Sequence, residues 1–345
     1  MVLRKSIAFF LLSFATIEAF RSCNNPPSFF GSSRIASVSI VSKLHTSSTD
    51  ENISEAASYH TVNGVICREV TNELPVIGTV KVLEATADSQ EELVDECLHL
   101  HEDDDGDEDI VNNKNLPAKR IAQGDPYGAV LWPAAWAVSN YLLSESDLRE
   151  SLSSTVVLEL GTGTGLVSIS AALGGAKAIL ATDYEPLALE LTRYASLILN
   201  QDKKRIDSII DTRLLDLCAF HQDPLPIDSL KESNEGCEVL VVAADIMYEP
   251  KTGTAMAYRA VEALKQNCRV IVGDSPGRPG RPAFLQTLWE LGVDKSVTFK
   301  ETIGKTCSGP RHDLICGEGS TSVSPTPEEL SVALLDLKPS MLQKR

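Results

Sequence analysis

From residue 155 onward, short continuous runs of apolar residues alternate with segments of helical periodicity. Continuous apolar runs, unlike alternating apolar and polar positions, indicate strands that are buried on both faces. Such strands, separated by helices, predict a parallel sheet covered on both sides. The predicted strands are residues 155–160, 178–182, 239–243, 269–273 and 296–303, with another inside 206–215; the predicted helices are residues 165–173, 186–200, 252–265 and 284–291.

The chain before residue 155 carries weaker patterns. Residues 50–75 are polar and mixed, which predicts a leader into the fold, whereas residues 76–83 have the β-prone composition of a strand. A short helix is predicted at residues 90–100. The acidic run at residues 102–109 repels itself and cannot bury apolar surface, so we expect a solvated loop there.

Two further elements are predicted beyond residue 303. Residues 313–316 are a strand candidate. The sequence Thr-Pro-Glu-Glu at residues 326–329 is typical of a capped helix start. Together with Leu330, Leu334 and Leu335 it predicts a final amphipathic helix.

The composition is that of a globular protein, with 345 residues of which 43% are apolar. The chain has 31 Lys and Arg against 48 Asp and Glu, a formal net charge of -17 at pH 7. We therefore expect no nucleic-acid partner, because a protein that coats nucleic acid needs a basic surface to displace counterions from phosphates. The acidity is uneven, since residues 84–109 hold 13 acids and no Lys or Arg.

The first 49 residues have the composition of a targeting segment. Arg4 and Lys5 precede an apolar run at residues 7–14, which fits a signal peptide and is too short to span a bilayer. Cleavage is expected after Ala19, and the basic, Ser-rich stretch that follows has no acid before Asp50, as in organelle transit peptides. This order is similar to the bipartite presequences of plastids acquired by secondary endosymbiosis. A mitochondrial presequence and secretion are the alternatives, and we expect no stable membrane anchor.

Neither the cysteines nor the histidines predict a metal site. The eight cysteines include no C-x-x-C pair, and in a chain of this length they need not form a disulfide framework. A bridge between Cys307 and Cys316 across a hairpin is a secondary alternative. His99 and His101 border the acidic run, but clustered acids without the ligand spacing of an EF-hand predict no bound metal.

A glycine-rich turn follows the strand predicted at residues 155–160. Residues 159–166 read ELGTGTGL, and such a strand-to-helix turn lets a ligand approach the backbone at a helix N-terminus. A dinucleotide fingerprint requires its third glycine where Leu166 stands, and a P-loop requires a Gly-Lys pair that is absent. The G-x-G-x-G form after an acid resembles motif I of class I S-adenosylmethionine (SAM) methyltransferases.

Acids also follow the next two predicted strands. Asp183 stands 22 residues after Gly161, where an acid can accept hydrogen bonds from both ribose hydroxyls. The alternative is that Asp183 caps the helix that starts at Pro186. Asp216 and Leu217 follow the third strand; in the methyltransferase pattern this position contacts adenine, and a surface acid at a strand end is the alternative.

Three further segments make the resemblance specific to one family of methyltransferases. They are residues 125–135, which read DPYGAVLWPAA, residues 245–248, which read DIMY, and residues 273–279, which read GDSPGRP. Over residues 125–291 the chain resembles the seven-β-strand lysine methyltransferases, a family with members that act on the electron-transfer-flavoprotein β-subunit and on calmodulin, and with nicotinamide N-methyltransferase-like members. Ser275 is an extra residue within the last motif, so the geometry of its loop stays open.

The resemblance implies a Rossmann-like, seven-stranded, mostly parallel sheet with helices on both faces, and SAM as the methyl donor. It places Asp245 and Tyr248 at the target lysine, where a carboxylate and a tyrosine can hold an ammonium group and assist its deprotonation. For Tyr248 and Trp132 the alternative is core packing, and Arg278 could pair with a substrate acid or cap a helix. The residues expected around the cofactor are Trp132, Glu159, Gly161, Gly163, Gly165, Asp183, Asp216 and Leu217.

These observations divide the chain into four parts: a presequence at residues 1–49, an N-terminal extension with the acidic loop at 50–124, a methyltransferase domain at 125–317 and a C-terminal tail with a short helix at 318–345. The expected activity is SAM-dependent methyl transfer to a lysine of a protein substrate. The alternatives are a small-molecule or non-lysine methyltransferase, an NAD(P)-dependent oxidoreductase and a non-catalytic scaffold that recruits basic partners through its acidic segment.

Overall fold

A computed structural model describes residues 58–102, 126–200, 206, 209–275, 277–305 and 329–343, with the backbone alone at 97–102 and 126. The presequence, almost all of the acidic run, the strand predicted at 313–316 and the Cys307–Cys316 bridge lie outside these residues, as do the side chains of His99 and His101. No helix within the described ranges is long and apolar enough to cross a membrane.

The described residues form a seven-stranded sheet and a separate three-stranded sheet. In the large sheet the strand order is β6-β5-β4-β7-β8-β10-β9; β4 to β8 pair in parallel, and β10 runs antiparallel to both β8 and β9. Its strands are β4 (Thr155–Leu160), β5 (Ala178–Asp183), β6 (Ile210–Leu214), β7 (Glu238–Ala244), β8 (Arg269–Asp274), β9 (Lys300–Lys305) and β10 (Glu329–Leu337). The prediction of a mostly parallel seven-stranded sheet is confirmed.

Helices cover both faces of the large sheet. They are α2 (Pro133–Ser144), α3 (Ser146–Ser151), α4 (Leu166–Leu173), α5 (Pro186–Tyr194), α6 (Ile227–Ser233), α7 (Pro250–Lys265) and α8 (Gly280–Glu290). Successive residues of a strand point to opposite faces. Accordingly, Val156 and Leu158 pack in one core with residues of α7 and α8, while Val157 packs in the other with residues of α2 and α4. The helix predicted at residues 186–200 ends its regular part at Tyr194 and continues as a π-helical turn.

From residue 58 onward the described N-terminal residues form a sheet, so the prediction of a leader is wrong for residues 58–75. Strands β1 (Tyr59–Val62), β2 (Val65–Leu74) and β3 (Gly78–Ala85) pair antiparallel, and helix α1 (Ala87–Glu102) follows. The apolar residues of β2 are buried at alternate positions, but the alternation is interrupted at Arg68 and Glu69. That interruption breaks the period-2 signal by which a strand is recognised.

The C-terminal element is also a strand, so the prediction of a final helix is wrong, and the seven-stranded sheet extends past residue 317, the end of the domain predicted from the sequence. Strand β10 inserts between β8 and β9, and residues 332–335 are all buried. Leucines at residues 330, 334 and 335 fit one face of a helix. The same segment also contains a continuous apolar run, which is typical of a strand buried on both faces. Pairing with β8 and β9 makes the segment a strand.

Candidate functional site

The strand order of the large sheet reverses between β4 and β7. From β4 the chain proceeds outward through β5 to β6, then returns to the other side of β4 and proceeds through β7 to β8. In open α/β sheets, ligands bind at the carboxyl ends of the strands that flank such a reversal. The predicted glycine turn follows β4, and the predicted segment 245–248 follows β7, so the structure brings both motifs to one crevice.

The glycine turn has a backbone that other residues adopt with difficulty. Gly161, Gly163 and Gly165 have φ of 71°, 52° and 85°. A Cβ on Gly161 would lie 2.5 Å from Cγ2 of Ile246, and one on Gly165 would lie 2.6 Å from Oγ1 of Thr192. The turn therefore packs directly against the segment that follows β7 and against α5, which only glycine permits.

The remaining side of the turn faces residues 126–129. A Cβ on Gly163 would meet the carbonyl oxygen of Gly128 at 3.3 Å, which is a tight contact, so a longer side chain at this position would have to displace residues 126–129. Asp183 at the end of β5 accepts hydrogen bonds from the backbone N–H of Gly163 at 3.0 Å and of Glu185 at 2.9 Å. The helix cap before Pro186 is supplied by Glu185, so the capping alternative for Asp183 is wrong. Glycine backbone and an acid at a second strand end are the set that a nucleoside with a ribose requires.

Glu159 lies near the end of β4, and its side chain contacts the glycine turn. It is fully buried, and its Oε2 accepts from Oγ1 of Thr162 at 2.9 Å, from the N–H of Ser168 at 3.1 Å and from the Ser168 hydroxyl. It thus ties the turn to the start of α4. Burial raises the pKa of Glu159 to about 7, and the charge of Asp183 adds to this, while the Ser168 and Thr162 donors act in the opposite direction.

Asp216 and Leu217 lie at the end of β6, as predicted, but a residue that the sequence analysis missed holds them there. Oδ1 of Asp216 accepts from the N–H of Cys218 at 2.8 Å. The guanidinium of Arg259 on α7 is completely buried and donates to the carbonyl oxygens of Asp216 at 3.0 Å, Leu217 at 3.2 Å and Asp223 at 2.6 Å. In the sequence, nothing distinguishes an arginine that will bind the backbone of a distant loop from any other arginine of an amphipathic helix.

Asp245 accepts four hydrogen bonds through its side chain. Its backbone is left-handed, with φ of 57°, and its side chain is buried. Oδ2 accepts from the N–H of Ala134 at 2.8 Å and the Ser275 hydroxyl at 2.9 Å. Oδ1 accepts from the N–H of Ser275 at 2.7 Å and Nε of Arg278 at 3.4 Å. Ser275, the extra residue of its motif, thus supplies two of these four donors.

Trp132 joins this cluster through its ring. The indole N–H donates to the carbonyl oxygen of Tyr127 at 3.1 Å, and the Arg278 guanidinium lies 4.6 Å from the ring centroid. Arg278 is therefore bound within the crevice by Trp132 and Asp245, an arrangement that the sequence analysis did not foresee. Tyr248, three residues after Asp245, is half-buried in the loop before α7, next to the N-cap residue Glu249.

A second buried acid, Asp274, lies beside Asp245 and was also missed. Nε of Arg281 donates to its Oδ2 at 2.9 Å, while Oδ1 is buried without a hydrogen-bond partner. Burial raises the pKa of Asp274 to about 7; Arg281 acts in the opposite direction, and the charge of Asp245 raises it further. Within the described residues, no group of three or more His, Cys, Asp or Glu side chains could hold a metal ion.

The raised pKa of Glu159 predicts a pH dependence of stability. The folded protein keeps this proton up to about pH 7, whereas the unfolded chain releases it near the ordinary glutamate pKa of 4.5. The contribution is therefore fully present below pH 4.5 and is lost as pH rises through 7, by at most about 1.4 kcal/mol per pH unit. Urea unfolding of Glu159→Gln at pH 4.5 to 7.5 should lack this decline. An exposed control, Glu150→Gln, should keep the wild-type profile; an identical profile in Glu159→Gln would contradict the assignment.

Comparison with known proteins identifies the family. A family model described as lysine methyltransferase matches residues 111–289, more than half of the chain. The electron transfer flavoprotein beta subunit lysine methyltransferase of Rattus norvegicus is 30% identical over 167 residues, covering 46% of this chain and 53% of the relative. The Homo sapiens protein of that name is 30% identical over 161 residues, covering 46% and 52%. The chain thus spans about half the length of these curated relatives.

Solved structures show weaker similarity. A SAM-dependent methyltransferase from Anabaena variabilis is 12% identical, with a TM-score of 0.41 over 61% of this chain and 87% of that one. The ribosomal protein L11 methylase of Lactobacillus delbrueckii is 16% identical, with a TM-score of 0.33 over 59% and 76%. On the match of the family model, this chain belongs to the lysine methyltransferase family.

Proposed function

We propose that this protein transfers the methyl group of SAM to the ε-amino group of a lysine in a protein substrate. The observation that carries the proposal is the contact between the two motifs: Gly161 leaves room for Ile246, so the glycine turn and the segment 245–248 form one crevice. The relatives are named for the electron transfer flavoprotein beta subunit. Because the chain spans only about half the length of these relatives, we propose a lysine of a protein as the methyl acceptor and do not extend the target named for the relatives to this protein.

The proposed cofactor residues fit SAM by their chemistry. The backbone of residues 161–165 and the carboxylate of Asp183 would hold the methionine and ribose parts, and Asp216 with Leu217 would flank the adenine. SAM supplies an electrophilic methyl group on a sulfonium and has no pyrophosphate for the turn to bind. The third glycine of a dinucleotide fingerprint is needed for close packing of the helix on the strand. Leu166, which stands at that third position, is completely buried at the start of α4, which disfavours the NAD(P) alternative.

The acceptor must be bound as a cation and react as a neutral amine. A lysine has a reference pKa of about 10.4, so at neutral pH it is almost wholly protonated. Asp245 would attract the ammonium, and its own hydrogen bonds hold its charge in place. Tyr248 offers an aromatic face to the cation and a hydroxyl that can pass on its proton. The chain itself thus orients the amine, while the transfer needs no covalent enzyme intermediate.

Gly163→Arg should abolish SAM binding, because the new side chain would collide with the carbonyl oxygen of Gly128 and distort the glycine turn that is proposed to hold the cofactor. Isothermal titration calorimetry with SAM measures this directly. Gly236→Arg is a matched control, since Gly236 also has a left-handed backbone, with φ of 79°, but has nothing within 4 Å of its added Cβ. If Gly163→Arg binds SAM with wild-type affinity, the crevice is not the cofactor site.

Tyr248→Phe should slow methyl transfer by about tenfold or more while SAM remains bound. Asp245→Asn should slow transfer at least as much, and because it also removes an acceptor that joins three segments of the crevice, its SAM affinity should be measured beside its turnover. The assay is transfer of a labelled methyl group from SAM to an organelle extract, followed by mass spectrometry for methyl-lysine in the labelled band. Tyr141→Phe removes a hydroxyl that bonds Asp336 on β10 and should leave turnover unchanged. Label on a small molecule alone would favour the small-molecule alternative, and SAM binding without any transfer would favour the scaffold.

The localisation proposed for this enzyme is the plastid, on the order of signal-like and transit-like segments in residues 1–49. A fluorescent protein fused behind residues 1–50 should accumulate in plastids of a cell that has secondary plastids. Fluorescence in mitochondria would favour a mitochondrial presequence, and fluorescence in the medium would favour secretion. A diffuse cytosolic signal would show that residues 1–50 do not target the protein.

A further inference from the structure

The three-stranded N-terminal sheet lies outside the residues that the family model matches, yet it reaches the crevice. The contact runs through residues 126–131, which we call the cover turn. Its Gly128 carbonyl faces the position of a Gly163 Cβ at 3.3 Å, and a Cβ on Gly128 would lie 3.9 Å from Glu185 and Ala188. The cover turn thus lies between the glycine turn and α5, on the side where the proposed cofactor must bind.

One buried side chain of the sheet holds the end of the cover turn. Glu84 on β3 is only 2% exposed, and its Oε2 accepts from the N–H of Leu131 at 3.2 Å. Its Oε1 accepts from Nε of Arg68 at 2.8 Å and Nη2 at 2.6 Å. Leu131 precedes Trp132, so this hydrogen bond fixes the backbone immediately before the tryptophan that contacts Arg278.

Further contacts fasten both ends of the segment to the same sheet. Ala129 packs in a cluster with Val65, Cys67 and Leu83 of the sheet. After the cover turn, the indole N–H of Trp136 donates to the carbonyl oxygen of Glu73 at 3.2 Å. The position of the cover turn therefore depends on a part of the chain that supplies none of the predicted site residues.

The choice of a charged residue at position 84 is informative. An apolar side chain would be enough for packing, and replacing a buried ion pair by apolar residues is often neutral or stabilising. A carboxylate adds a directional acceptor for a backbone N–H that lies outside regular secondary structure. Arg68 in turn compensates the charge and holds the carboxylate in one orientation.

We propose that the N-terminal sheet positions the cover turn over the cofactor crevice and that Glu84 is the positioning residue. This inference rests on the proposed function, because it concerns the retention of SAM. The hydrogen bond to Leu131 holds the cover turn at its distance from the glycine turn, and its loss lets bound cofactor escape faster.

Glu84→Met, which removes both acceptors from a side chain of similar length, should weaken binding of SAM and of S-adenosylhomocysteine by about tenfold. Calorimetry gives the affinities and stopped-flow competition gives the dissociation rates, with the change expected mainly in dissociation. Glu84→Gln keeps the shape and one acceptor, so its effect should be intermediate, and it replaces the Met variant if that one does not fold.

Glu69→Gln is the matched control. Glu69 belongs to the same sheet and pairs with Lys81 at 2.7 Å, but none of its described contacts reaches the cover turn. It should lower stability less than the Glu84 variants do, because this ion pair is more exposed, and it should leave both ligand affinities unchanged. If the folded Glu84 variants bind and release both ligands as the wild type does, Glu84 is merely structural and this inference fails. If the wild type binds neither ligand, the proposed function fails, and the inference with it.

Discussion

The buried carboxylate of Asp245 joins three parts of the chain that are distant in sequence. It follows β7, and it accepts hydrogen bonds from Ala134 in the first turn of α2 and from Ser275 and Arg278 after β8. Pro133 occupies the first position of α2 and has no N–H, so Ala134 provides a backbone donor at the positive end of the helix. Loss of a partner of a buried charge costs about 3–5 kcal/mol. The crevice therefore keeps its shape only while all three segments stay together.

The parts of the fold that could be predicted are those in which local pattern and tertiary setting agree. The run at residues 239–243 is continuous and apolar, and β7 is central in the sheet and covered on both faces. The strand β10 is different, because its leucines fit a helical face equally well and only its place between β8 and β9 decides. In β2 the alternation is interrupted, so its residues read as a polar leader although they pair with β1 and β3.

The candidate site could be predicted in residue identity but not in electrostatic detail. Motif spacing indicated Glu159 and Asp245, yet it carried no information on which carboxylate faces a ligand. Burial inside the turn gives Glu159 a pKa of about 7, whereas Asp245 is surrounded by donors and a guanidinium. Asp274, with a pKa also raised to about 7 by burial, and Arg278 depend on the loop after β8, whose course the extra Ser275 left open. These features arise from atoms brought together across the sheet, which no linear pattern records.

Glu84 shows why the boundary of a family match need not be the boundary of the functional unit. In the sequence it is the first of the 13 acids of residues 84–109, and nothing distinguishes it from the others. In the structure it is buried, paired with Arg68 and bonded to the backbone of Leu131. A buried carboxylate persists only where its partners compensate its desolvation. The partners of Glu84 include the cover turn, so the N-terminal sheet contributes directly to the structure of the crevice. A protein reduced to residues 111–289 would therefore lack the contacts that hold one side of the crevice.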